Sequence, residues 1–321
     1  MQIGTVVSAP GTLAKGTVEI GRYPDGPINS PVMVAEGTKT GPSLFITCLV
    51  HGTEIIGPLA VARFLKAIDL GRLSGRIVAL LASNPLGLRH FNRLTPQDGM
   101  NLNRVFPGKA DGSVSEQIAH RVFTLAGEHG DVLLDLHSGG ELTITAFYTI
   151  YTADDSPAAR ESKRLSASVG SRYQWGSNEG WLKGALFSNY TRRYGKPAII
   201  VESGGGARVT EQDFTNYATA LNGLTQALGM LPGTPPVAQD IRHGGNAVHV
   251  KARAGGFWHP RVAPGDDMVK DQVMGEVVDF YGDVVEKVLC PFPRAWVGSI
   301  RRPYMAIFSG DQLVEVVERV E

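Results

Sequence analysis

Two histidines and a glutamate stand where one chain could close them around a single metal ion. His51 and Glu54 are three residues apart in His51-Gly52-Thr53-Glu54, and His137 ends the run Asp131-Val-Leu-Leu-Asp-Leu-His137. A catalytic zinc takes three protein ligands, commonly histidines and a carboxylate, and keeps a fourth position for water or substrate. The His-x-x-Glu spacing puts Glu54 in the first turn of the helix expected after His51, so both side chains reach one ion from a shared corner. His137, from a neighbouring strand, completes the set. The pair alone is a weak signal. The same residues also read as a loop histidine, an acid favoured by a helix N-terminus and a satisfied buried histidine, but that reading leaves their shared strand-end placement unexplained.

The elements that must position these groups follow a recurring pattern. Ser43 to Val50 is a continuous β-prone apolar run, too short for a helix, and it stops at His51; Ile55 to Leu70 then carries helical spacing. Ile77 to Ala82 is a second buried strand, followed by a long irregular stretch from Asn84-Pro85 to Phe106-Pro107-Gly108, a length of loop that is usually functional or disordered. Ser115 to Glu128 is helical, with Ser113 or Ser115 as the cap, and leads into the strand that ends at His137. Ser156 to Ser171 and Leu186 to Tyr194 read as helices, and Pro197-Ala-Ile-Ile-Val-Glu202 as a strand that again ends on a charged residue before Gly204-Gly205-Gly206. Strands alternating with helices predict an α/β domain with a largely parallel, two-sided sheet, and its ligands belong beyond the carboxyl ends of the strands. His51, His137 and Glu202 converge there.

At either end the pattern changes. Gly4 to Val34 reads as short strands and turns, while helical periodicity stops near Leu231-Pro-Gly-Thr-Pro-Pro236. From Val248 onward, short β-type runs alternate with glycine pairs and Pro-Gly turns. The expected units are residues 1–233, holding the chemistry, and an all-β unit over 234–321.

Bulk properties remove several classes. Over 321 residues, Lys plus Arg and Asp plus Glu both number 31, so no overall field draws the chain to nucleic acid or to an anionic membrane. Cys48 and Cys290 lie far apart in apolar surroundings, as small buried hydrophobes of a reducing compartment do. With no basic-then-apolar N-terminal segment and no long apolar run, the expected location is the cytoplasm. No lysine and hydroxyl follow Gly204-Gly205-Gly206 as in a phosphate loop, and no Gly-x-Ser-x-Gly marks a serine hydrolase. The other histidines, such as His249 and His259, lack ligand-like spacing and are expected to be surface or packing residues.

His51-Gly-Thr-Glu54, Asn84-Pro85, Arg93, Asn101-Leu-Asn-Arg-Val-Phe-Pro-Gly108, Asp135-Leu-His137-Ser-Gly-Gly140 and Glu202-Ser-Gly-Gly205 occur in the order of the succinylglutamate desuccinylase/aspartoacylase family. The chain resembles that family over essentially its whole length, most of all the branch that includes N-acetyl-diaminobutyrate deacetylases. The resemblance implies a three-layer α/β/α zinc-carboxypeptidase-like catalytic domain followed by an all-β barrel-sandwich-like domain. It implies one zinc per chain on His51, Glu54 and His137, with Glu202 as the general base that moves a proton from a metal-activated water to the leaving amine. Arg93 matches the arginine that steadies the oxyanion, and Asn103 and Arg104 match the pair that grips a substrate carboxylate. The implied substrate is a small N-acylated amino acid, and a homo-oligomer is compatible with the family.

Three departures shape that expectation. Asn101 replaces the aspartate of aspartoacylases proper, so their specificity does not carry over. Arg192 stands at the spacing of their second carboxylate-binding arginine, but Arg192 and Arg193 also sit where a helix ends, and the solvated-face reading is favoured. The tail lacks the lysine of a biotinyl or lipoyl carrier. Its aromatics Phe257 and Trp258, with His259, are expected either at the cleft entrance or, by default, in packing. Two other functions compete: a metallocarboxypeptidase for short peptides, with the same ligands and a larger pocket, and a non-catalytic metal-dependent binding protein.

Overall fold

A computed structural model describes residues 1–178 and 180–320 and, for Trp181, the backbone alone. Among these residues the dominant element is a twelve-stranded mixed sheet. Its centre is Val132–His137, flanked in parallel by Lys39–Cys48 on one side and Ala198–Gly205 on the other. The register sets Glu202 beside His137. Ser74–Leu80 continues the parallel group outward from Lys39–Cys48.

Period-two alternation explains how these short strands build two cores. Val132, Leu134 and Leu136 join Leu44, Ile46 and Cys48 on one face, under the helices Ile56–Ala67, Pro157–Ser166 and Glu211–Ala227; Phe45 and Leu133 face the other way, toward Val114–His129 and Leu186–Tyr194. Both faces are covered, so the strands read as unbroken apolar runs. The layers are helix, sheet, helix. Ser113 starts the first of the second pair with a reciprocal capping box to Glu116, worth about 1 kcal/mol. Ser115 instead donates to Asp98, 2.8 Å away, and ties the long loop to that helix.

The N-terminal strands are longer than the glycine and proline punctuation suggests. Thr12–Tyr23 and Gly26–Glu36 form one antiparallel hairpin, which edges the sheet through pairing of Val32–Glu36 with Arg76–Leu80. The long loop is also less irregular than expected, since it holds the short helix Pro85–Arg89 and a helical turn at Leu102–Arg104.

From Arg242 to Arg319 the described residues form only strands and turns, and their own core gathers around Trp258, Met274 and Val316. This part does not stand apart from the main sheet. Arg242–Lys251 pairs with Tyr173–Ser177, and Arg294–Arg301 pairs with Thr143–Thr152, so four C-terminal strands extend the main sheet while four others form a second sheet over them. Cys48 and Cys290 are buried in different cores. Among the described helices none is long and apolar enough to cross a membrane.

Candidate active site

The strand Lys39–Cys48 delivers His51 through a tight exit. Leu49 adopts a φ of +52°, a left-handed conformation costly for a non-glycine residue, and the chain then turns so that Glu54 N–H donates to the His51 carbonyl at 3.2 Å. Gly52 lies against the backbone of Gly87, where an added Cβ would come within 2.1 Å of the Gly87 carbonyl carbon. The helix starts only at Ile56. Glu54 therefore precedes the first helical turn in which the spacing placed it, and this non-helical corner folds its carboxylate back between two imidazoles.

The three groups meet. Glu54 Oε1 lies 2.8 Å from His51 Nδ1, Glu54 Oε2 lies 2.8 Å from His137 Nδ1, and the rings are 5.1 Å apart between centroids. One nitrogen or oxygen of each falls within 4.8 Å of the others, as donors to one ion must, and all three residues are buried. The outward nitrogens are held as well: His51 Nε2 is 3.1 Å from Asn101 Oδ1, and His137 Nε2 is 2.9 Å from Asp135 Oδ2, though off the hydrogen-bonding direction. Thr47 fixes Asp135 by donating to its Oδ1 at 2.7 Å. Outer groups of this kind orient metal-binding imidazoles. The two-nitrogen, one-oxygen donor set, buried at the floor of an open cleft, fits a catalytic dication of the zinc type.

Charges follow from the same contacts. Burial drives His51 down to about 4, with Arg93 adding to the effect. Burial also pushes against ionisation of Glu54, but His51 and His137 outweigh it and hold the carboxyl well below its usual range. For His137, burial lowers the pKa, and Asp135 and Glu54 more than reverse that.

Glu202 stands one strand across from His137, with Oε2 buried and unpartnered. Burial pushes its carboxyl up to about 8, Glu54 and Glu315 add to this, and His137 and Arg93 oppose it. A buried carboxyl with an unmet oxygen facing a cationic site is suited to taking and returning a proton. Tyr217, on the helix Glu211–Ala227, donates to the carbonyls of both His137 and Ser203, locking together the two strand ends that carry His137 and Glu202.

Arg93 Nη1 donates to Glu54 Oε1 at 2.9 Å, so the guanidinium sits at the rim of the His51–Glu54–His137 cluster with part of its surface open to the cleft. Asn103 is turned inward: its Oδ1 accepts from Leu186 N–H at 2.9 Å and its Nδ2 lies 3.4 Å from His137 Nε2. Arg104 Nη1 donates to the Asn103 carbonyl at 2.6 Å, and burial, then Arg93, lowers its pKa to about 10. All seven candidate residues line one cleft of about 170 Å³, room for roughly six waters. Arg192 does not line it and lies instead at the end of its helix, 3.5 Å from Asp154.

The opposite wall comes from the C-terminal strands, through His249, Ser299, Arg301, Gln312 and Glu315, joined by Tyr148. Phe257, Trp258 and His259 do not line the cleft. Trp258 is buried in the C-terminal core, Phe257 packs edge-to-face on Phe280, and His259 lies tilted against Tyr304. Sequence reasoning missed Asp135, although it sits two residues before His137 and therefore on the same strand face.

Residues 40–228 match the succinylglutamate desuccinylase/aspartoacylase catalytic domain. The chain belongs to the succinylglutamate desuccinylase/aspartoacylase family. It is 30% identical over 304 residues to the N-alpha-acetyl-L-2,4-diaminobutyric acid deacetylase of Halomonas elongata, covering 92% of this chain and 87% of that one. Among solved structures, the product-bound ectoine utilization protein EutE (DoeB) of Ruegeria pomeroyi superposes with a TM-score of 0.85 at 22% identity, over 99% of this chain and all of the other. An aspartoacylase family protein of Mesorhizobium loti gives 0.82 at 25% identity over the full length of both. Membership of this family makes the chain a hydrolase, with the three-layer domain and all-β tail its relatives share.

Proposed function

We propose that the protein is a zinc-dependent deacylase of small N-acyl amino acids, with N-acetyl-2,4-diaminobutyrate as the first substrate to test. The observation that carries this reading is the convergence of His51, Glu54 and His137 beside the unpartnered buried oxygen of Glu202. Zinc bound there would supply Lewis acidity, lowering the pKa of water toward about 7 and polarising the acyl carbonyl.

The remaining work falls to the chain. His51, Glu54 and His137 hold the ion, with Asn101 and Asp135 fixing the ring orientations. Glu202 accepts the proton of the attacking water and passes it to the departing amine, a role suited to its buried, unpartnered oxygen in the cleft. Arg93, already at the rim of the ligand set, steadies the negative oxygen of the tetrahedral intermediate. Arg104 grips the α-carboxylate, and Asn103 holds the loop that presents it. The small cleft favours an acylated amino acid over a peptide. Residues 1–233 form the catalytic unit in this reading and 234–321 the β unit that narrows access; the compartment is the cytoplasm.

The test is release of free amine from N-acetyl, N-succinyl and N-formyl amino acids and short peptides by zinc-loaded wild type and Glu202→Ala. Turnover of an N-acyl amino acid, abolished by chelator and lowered by about a thousandfold in Glu202→Ala, is expected. Cleavage of peptides alone would make the protein a carboxypeptidase. Metal-dependent binding without turnover would make it a binding protein.

A further inference from the structure

Glu315 is the one carboxylate that the described C-terminal strands give to the cleft, and its placement is specific. It lies on Gln312–Arg319, between Arg242–Lys251 and Arg294–Arg301, directly opposite His249 on one side. On the other side the register slips between Val297 and Ser299, leaving Gly298 as the extra residue of a bulge. A Cβ on Gly298 would come within 2.5 Å of Glu315 Oε1, so the glycine leaves the space that the carboxylate fills. Glu315 is 5% exposed. Tyr148 donates to its Oε1 at 2.8 Å, and His249 Nε2 lies 3.1 Å from its Oε2.

This is a held carboxylate with capacity left. Two carboxylate oxygens offer about four acceptor positions, and the phenol and the imidazole take one each. Tyr148 pairs across the sheet with Glu202, so Glu315 is hydrogen-bonded to the cross-strand neighbour of the proposed base. The main-domain wall gives the cleft Arg93 and Arg104, suited to anionic groups; the C-terminal wall adds the buried Glu315 and also Arg301, whose guanidinium is itself paired with Asp311 at 3.2 Å.

Resting on the deacylase reading, we infer that Glu315 is the specificity residue for the substrate side chain and takes a primary ammonium group. The substrate class is then an N-acyl diamino acid: its carboxylate lies toward Arg104 and its side-chain amine toward Glu315, by a charge-assisted hydrogen bond. An N-acyl amino acid with an acidic side chain would put two carboxylates together in a buried space and is selected against.

The experiment compares wild type and Glu315→Gln on N-acetyl-2,4-diaminobutyrate, its uncharged isostere N-acetyl-norvaline, and N-acetyl-aspartate. Glutamine keeps the size of the side chain and an acceptor for Tyr148, and norvaline turnover with the thermal midpoint reports whether the variant is folded. The expected result is a fall in kcat/KM of more than about tenfold for the diaminobutyrate substrate, a change within about twofold for norvaline, and a gain for aspartate. An equal fall for all three would overturn the inference and make Glu315 a support for Tyr148. No change for any would also overturn it.

Calorimetric binding of 2,4-diaminobutyrate and norvaline to the zinc-loaded protein separates this inference from the deacylase reading. If no acylated substrate turns over, the deacylase reading fails. A preference for diaminobutyrate that vanishes in Glu315→Gln would still uphold Glu315, and equal binding of the two amino acids would overturn it.

Discussion

The two walls of the cleft are built by different rules. On the main-domain side, His51, His137 and Glu202 leave the ends of adjacent strands, or lie within three residues of one, so sheet order brings them together and the tight corner after Leu49 turns His51 inward. On the C-terminal side, His249, Ser299 and Glu315 are interior strand residues, aimed into the cleft by register and a bulge, and Arg301 ends its strand. The difference separates two tasks. In the proposed reading, chemistry placed near strand ends is anchored by sheet order, while selectivity placed by register can be retuned by a single slip or substitution.

That contrast fails if the main-domain wall tolerates loss of one ligand. His137→Ala removes a donor and leaves Glu54 and Asp135 without their shared imidazole. Bound zinc should drop from about one to below about 0.1 per chain by elemental analysis after dialysis, with turnover at background. Retention of stoichiometric zinc by the variant would mean that the ligands lie elsewhere.

Glu202→Gln sharpens the contrast through stability. In wild type freed of metal, the Glu202 carboxyl is held up at about 8, so the folded chain keeps a proton that the unfolded chain releases above the ordinary glutamate range. The unfolded state therefore binds fewer protons, and this group's contribution to stability falls as pH rises from about 4.5 to about 8. Glutamine has no such transition. In chelator-treated protein, Glu202→Gln should gain on wild type across that window by on the order of 5 kcal/mol, measured by denaturant unfolding at several pH values. A difference that does not vary with pH would place Glu202 in a solvated setting unsuited to its proposed role.

The same division governs what the sequence disclosed. The central strands were legible because burial on both faces forces continuous apolar runs, and their ends announced themselves as His51, His137 and Glu202. The hairpin Thr12–Tyr23/Gly26–Glu36 was not, since Gly16, Gly21, Pro27 and Pro31 punctuate strands that are half exposed at a sheet edge, where such residues are tolerated. Glu54 lies two residues before the helix rather than in its first turn, because a three-residue spacing is shared by helix starts and by tight turns. Glu315, His249 and Arg301 gave no signal, because their neighbours Val314, Val316, Val248, Val250 and Ile300 are ordinary sheet residues and only the fold decides which face meets the cleft.

The smallest expected effect tests the C-terminal wall without touching a charged group. Gly298 carries an ordinary backbone conformation, outside the left-handed region, so alanine is allowed there by its φ. The three nearest atoms the new methyl would meet all belong to the Glu315 side chain, Oε1 at 2.5 Å, and shifting that buried, hydrogen-bonded carboxylate should lower global stability by about 1–2 kcal/mol. The carboxylate, however, must leave the place where Tyr148 and His249 hold it. Gly298→Ala is therefore expected to raise KM for N-acetyl-2,4-diaminobutyrate by about three- to tenfold, with kcat and zinc content close to wild type. A change in kcat at constant KM would instead link the bulge to Glu202 through Tyr148, and the two walls would then share one task.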